Sequence, residues 1–135
     1  MEITRTPPHT TRGPAEWFTG DVWIDEVATP PAPLHFRAVS VHFTPGARTA
    51  WHRHPVGQVL YVTEGVGLAQ RRGGPLEVIR AGDRVRFAPG EEHWHGATPQ
   101  WFMTHLAMHE GDEDGVSSVW GAHVTDGEYT AAPAD

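Results

Sequence analysis

Apolar and polar residues alternate along this chain in short runs, with no long stretch in which apolar positions recur every three or four residues. Between residues 36 and 44, Val39, Val41 and Phe43 fall on one side of an extended segment and Ala38, Ser40 and His42 on the other. That period of two is expected of a strand. Trp101 to His109 repeats it, with His105 and His109 on one side, Leu106 and Met108 on the other, and apolar surface on both. Further strands are expected at Arg48–His54, Gln58–Thr63, Val66–Arg71, Leu76–Ile79 and Arg84–Ala88, separated by Gly- and Pro-containing turns. Glu16 to Val27 reads as one or two edge strands, and the prolines from Pro30 to Pro33 interrupt pairing. Residues 1–15 read as an irregular arm. After Gly115 the pattern weakens: Val116 to Val124 fits a last strand, and Asp126 to Tyr129 a turn or short helix. Roughly nine short strands joined by turns predict an all-β fold, a double-sheet jelly roll or a related closed sandwich.

A length of 135 residues with 39% hydrophobic content suits one domain, 1–135, with its core in 36–110 and an extension over 111–135. The net charge of −7 and the single short basic cluster, Arg71-Arg72, argue against a nucleic-acid partner. No apolar run approaches the roughly 20 residues needed to span a bilayer, so a cytoplasmic protein without membrane contact is expected. The absence of cysteine removes thiolate metal sites and leaves ten histidines as the obvious donors.

Three of those histidines and one amide stand in a metal-ligand pattern. His52 and His54, two apart, share one face of a strand; Gln58 follows across the bend at Pro55-Val56-Gly57; His93 follows the turn at Pro89-Gly90. Four neutral ligands leave the charge of a divalent ion uncompensated, which makes it a stronger Lewis acid, and Gln58 cannot serve as a base. Proton transfer then falls to neighbouring histidines. His105 is the first choice and His95, two residues after His93, the second. The tryptophans, including Trp51 and Trp94 beside the ligands, read as packing on the outer sheet face or at a subunit contact.

The segment Gly46-(x)5-His52-x-His54-(x)3-Gln58-(x)6-Gly65 resembles the first motif of the cupin superfamily, with Gln58 where that motif usually has Glu. Gly82 through Ala97 is similar to the second motif: Gly82, Gly90 and His93 keep their spacing, Pro89 is displaced by one, and Ala97 stands where Asn is usual. The runs Pro45 to His52, Pro89 to Gly96 and Thr104 to Ala107 look like the small bacterial cupins that include manganese-dependent hydroxynitrile lyases. That resemblance extends from Gly13 to Asp126, nearly the whole chain.

The resemblance implies a cupin-type barrel holding one divalent ion, manganese first, with iron, nickel or zinc as alternatives. It also implies a small-molecule pocket facing the strand that carries Val39 and Val41, to which Phe43, Leu60 and His109 are added as candidate lining residues. The implied reaction is the interconversion of a cyanohydrin with an aldehyde and hydrogen cyanide. A quercetinase-like dioxygenase and a non-catalytic small-molecule-binding cupin are the alternatives. A homodimer or homotetramer is expected from the same likeness and from the apolar, Trp-rich N-terminal segment.

Overall fold

The computed structural model describes residues 1–133; the last two residues of the proposed C-terminal extension lie outside them. The described chain forms twelve strands and one short helix. Six strands make one antiparallel sheet in the order β1 (Thr10–Arg12), β3 (Val22–Ala28), β4 (Phe36–Phe43), β11 (Met103–Glu110), β7 (Gln58–Arg71) and β9 (Arg84–Phe87). In the second sheet β7 pairs with β8 (Glu77–Arg80) and β10 (His93–Ala97). Beyond β10 lie β5 (Arg48–Thr49) with β2 (Phe18–Thr19), and β6 (His52–Arg53) with β12 (Val119–Trp120). The two sheets curl into the expected jelly roll, joined by β7, which belongs to both.

That long strand corrects the expectation of two strands split near residue 64. The chain bends there without a break because Gly65 adopts φ of 79° and lies against the Phe102 backbone, where a Cβ would meet the carbonyl oxygen at 1.9 Å. Conversely, Arg48–His54 is two strands, interrupted at Ala50-Trp51. Part of the arm expected to be irregular is a strand: Thr10 to Arg12 pairs with Asp25 to Trp23, so β3 is not an edge. Of Val116 to Val124, Val119 and Trp120 alone pair as a strand, and α1 (Asp126–Tyr129) follows with a Thr125/Glu128 capping box.

Alternation divides the buried residues into two cores. Between the sheets, Val39, Val41, Phe43, Leu60 and Val62 pack with Phe87 and Met103. Outside the second sheet, Trp51, Leu68, Leu76 and Trp94 pack beneath Val124 and Tyr129. Trp51 and Trp94 thus pack on the outer sheet face, the first of the two places expected for them, and the chain's own C-terminal segment covers them there. Arg48 pins that segment, its guanidinium donating to the Val124 carbonyl and Asp126 carboxylate, each at 2.9 Å, and lying over the Tyr129 ring. The Tyr129 hydroxyl donates to the Ala97 carbonyl at 2.7 Å. Tyr129→Phe keeps the ring and removes one buried hydrogen bond, so thermal unfolding should report a loss of about 1 kcal/mol.

Candidate metal centre and cavity

The strand pairing brings residues far apart in sequence to one end of the barrel interior. His52 on β6 sits directly opposite His93 on β10 and opposite Trp120 on β12. Gln58 opens β7 opposite His109 on β11, and His105 sits between Val41 and Val62. The resulting imidazole cluster is close: ring centroids lie 4.3 Å apart for His52 and His93, 5.0 Å for His52 and His54, and 4.7 Å for His95 and His105.

Hydrogen bonds fix how three of these rings present themselves. The Nδ1 atoms of His52, His54 and His93 approach the carbonyl oxygens of Ala50, Ser117 and Glu91 at 2.9, 2.7 and 2.7 Å. A carbonyl can only accept, so each Nδ1 carries the proton and each neutral ring turns a bare Nε2 inward. His54 Nε2, His93 Nε2 and the Gln58 Oε1 are buried without a hydrogen-bond partner in the protein. Buried acceptors left this way are costly unless something electrophilic sits among them. These residues fit a divalent cation.

Atom-to-atom spacing adds another candidate, because ring nitrogens of His52, His93 and His95 all lie within 4.8 Å of one another. His52 and His93 are common to both sets; His54 with Gln58, or His95, completes them. The difference lies in the partner. His54 Nδ1 is held by the Ser117 carbonyl and by Ser118 Oγ at 3.2 Å, whereas His95 Nδ1 faces another imidazole, His105 Nε2, at 3.0 Å. Two neutral imidazoles joined this way have one donor and one acceptor between them. Of the outer atoms His95 Nε2 and His105 Nδ1, both buried and unpartnered, one is therefore a base and the other an acid.

Burial keeps the cluster neutral. It pushes His93 and His105 down to about 3 and holds His52 and His95 well below the ordinary range, with neighbouring imidazoles adding to the effect at His52 and His95. Burial also lowers His54, and takes His109 to about 4.

A cavity of about 270 Å³ opens beside the cluster, close to the lower end of small-molecule sites. His52, His54, Gln58, His95, His105 and His109 border it together with Val39 and Val41. His93 joins the cluster through ring contacts with His52 and His95. Phe43 and Leu60 do not line the cavity: both are fully buried, Phe43 packing behind the rings of His95 and His105. Both His109 ring nitrogens are buried without partners.

The other wall was not anticipated from the sequence. Trp17 and Trp120 stack with centroids 5.0 Å apart and nearly parallel, Trp120 also stacks on His52, and Phe18 abuts it. Val116, Ser117 and Ser118 also line the cavity. Trp120 reaches the site through a two-residue strand paired with β6, too short to leave a local periodicity.

The cupin-domain family model matches residues 39–100. An (R)-mandelonitrile lyase of Granulicella tundricola is 54% identical over 130 residues, covering 96% of this chain and 98% of that protein. The crystal structure of a cupin-like protein from Thermotoga maritima superimposes with a TM-score of 0.85 at 34% identity, covering 98% of both chains. A cupin-2 domain protein from Rhodospirillum rubrum shares the fold, with a TM-score of 0.70 at 16% identity over 94% of this chain and 82% of that one. Identity of this extent, carried end to end over the same barrel, shows that the chain belongs to the cupin family.

Proposed function

We propose that this protein interconverts aromatic α-hydroxynitriles with their aldehydes and hydrogen cyanide. The observation that carries this reading is the buried, neutral His95–His105 hydrogen bond at the floor of an aromatic-walled cavity, beside imidazoles with free Nε2 atoms. The mandelonitrile lyase relationship supports the reaction class.

His52, His54, Gln58 and His93 would hold a divalent ion, manganese first. His54 is preferred to His95 because carbonyl and hydroxyl partners lock its tautomer. When bound, the ion supplies Lewis-acid stabilisation of negative charge on the substrate oxygen.

The chain's own residues handle the proton. The basic end of the His95–His105 pair takes the hydroxyl proton as the carbon–cyanide bond breaks, giving aldehyde and cyanide. The same pair returns that proton to cyanide as hydrogen cyanide, and burial keeps both rings neutral to receive it. His109, with two unpartnered ring nitrogens at the cavity wall, is placed to hydrogen-bond the nitrile. Trp17 and Trp120 offer a stacking face to an aryl ring and help exclude water.

With racemic mandelonitrile, the protein should release benzaldehyde and cyanide and consume one enantiomer first, as followed by chiral chromatography. Chelator treatment should abolish the rate, and a divalent ion restore it. No rate above background after loading with manganese, iron or zinc would overturn the proposal. Oxygen uptake with an enediol or flavonol substrate in place of cyanohydrin cleavage would favour dioxygenase chemistry.

A further inference from the structure

Among the described residues that border the cavity, Arg37 alone carries a permanent charge. It ends a row of inward-facing side chains that register fixes as Gln58 on β7, His109 on β11 and Arg37 on β4. Two strand spacings separate the backbone of Arg37 from that of the proposed ligand Gln58, roughly 10 Å, with His109 between them. The partner of this cation stands outside the cavity lining. Glu26, on the neighbouring β3, accepts from Arg37 Nε at 3.4 Å and from Nη2. Those bonds occupy one edge of the planar guanidinium and leave the other, Nη1 with the second Nη2 proton, without a hydrogen bond among the described residues. Both side chains of the pair are about two-fifths exposed. A pair so exposed contributes little to stability, so folding alone does not account for a cation on the inner face of the barrel. Ser117 borders, together with Arg37, both this cavity and an adjoining recess of about 290 Å³. The segment Val116 to Trp120 thus lines the cavity from Arg37 to the Trp120 ring, which stacks on His52.

We infer that the preferred substrates are aromatic aldehydes and α-hydroxynitriles bearing a carboxylate on the ring, to which the free edge of Arg37 donates two parallel hydrogen bonds. The inference rests on the lyase reading given above and adds the substrate class to it. With the substrate oxygen at the imidazole cluster and the ring along the wall that ends in Trp120, the far side of the ring is directed at Arg37. Glu26 holds the guanidinium plane fixed for that contact. Apart from a bound ion, the other groups lining the cavity are uncharged, so a carboxylate entering it finds its one protein cation at Arg37.

Isothermal titration calorimetry of the manganese-loaded full-length protein, without cyanide, reads this site separately from turnover. 4-Formylbenzoate should bind at least tenfold more tightly than its neutral isostere 4-formylbenzamide. Arg37→Gln should bring that ratio close to one, whereas Glu26→Gln, which removes the charge neutralising the guanidinium, should keep it at tenfold or above. With cyanide present, kcat/KM for the two aldehydes should show the same preference and the same dependence on Arg37. Both changed side chains are partly exposed, and circular dichroism checks the fold of each variant. Equal affinity of the wild type for the two probes would overturn the inference and leave mandelonitrile cleavage standing. A carboxylate preference that survives Arg37→Gln would also overturn it, since the anion would then sit on the metal ion. A calorimetric preference that depends on Arg37, in a protein that cleaves no cyanohydrin, would sink the lyase reading and keep the carboxylate site.

Discussion

Replacing His105 by alanine should lower turnover of mandelonitrile by two to four orders of magnitude while leaving the bound metal in place. General acid–base groups contribute about 10² to 10⁴ to rate, and the base proposed for this reaction forms one hydrogen-bonded unit with its partner. Loss of His105 leaves His95 Nδ1 facing a void and removes the path by which a proton taken up at one end is matched by release at the other. His105 is absent from both candidate sets of metal ligands, so metal analysis separates the roles: His105→Ala keeps its ion, whereas His93→Ala, common to both sets, loses it together with activity. The substitution also costs roughly 1–3 kcal/mol for the unpartnered buried nitrogen, so the variant's fold is to be checked by circular dichroism. His105→Gln, which keeps a hydrogen-bonding group near His95 without a basic nitrogen, should remain equally slow. Wild-type turnover in both variants, with the metal retained, would remove His105 from the chemistry and leave a packing histidine.

Much of this arrangement was legible in the chain because it is local. The two-residue step from His52 to His54, the bend before Gln58 and the turn before His93 are short-range features, and the alternation over Phe36–Phe43 and Met103–Glu110 told inside from outside. What stayed hidden depends on contacts distant in sequence. Thr10 to Arg12 has no amphipathic signature and becomes a strand because Trp23 to Asp25 offers an edge. Trp120 becomes a cavity wall because its two-residue strand finds β6, and Ser117 becomes the carbonyl that orients His54 from 63 positions away. Phe43 and Leu60 show the limit of alternation: it identifies the inward face, but not whether an inward side chain meets a cavity or the barrel packing.

The inward-facing histidines also set the stability of the fold, and the chelator-treated protein should lose that stability steeply as the pH falls from about 6.5 toward 4.5. In the folded state burial holds His93 and His105 at about 3, and His52 and His95 also far below the ordinary value of 6.5. In the unfolded chain each regains an ordinary imidazole pKa. Below pH 6.5 the unfolded state therefore binds more protons than the folded one, and acid favours unfolding; above 6.5 the two bind alike and the full stability is present. At pH 4.5, two units below 6.5, the linkage amounts to roughly 2–3 kcal/mol for each of His93 and His105. Half-buried His109, at about 4, adds less, and His52, His54 and His95 add in the same direction. Two of these groups alone consume about 5 kcal/mol, against a stability of about 5–15 kcal/mol typical of whole domains. Glu128 works in a different window: its carboxyl, lowered by the Thr125 backbone N–H, contributes above the ordinary carboxylate pKa and loses that contribution as the pH falls through its own lowered value. Urea titrations at half-unit pH intervals should thus show the decline beginning near 6.5, with proton uptake of two or more per molecule unfolded by pH 5. A flat stability between pH 7 and 5 would mean that the cluster is hydrated and free to charge in the folded state, and would remove the ground for neutral proton-transfer imidazoles at His95 and His105.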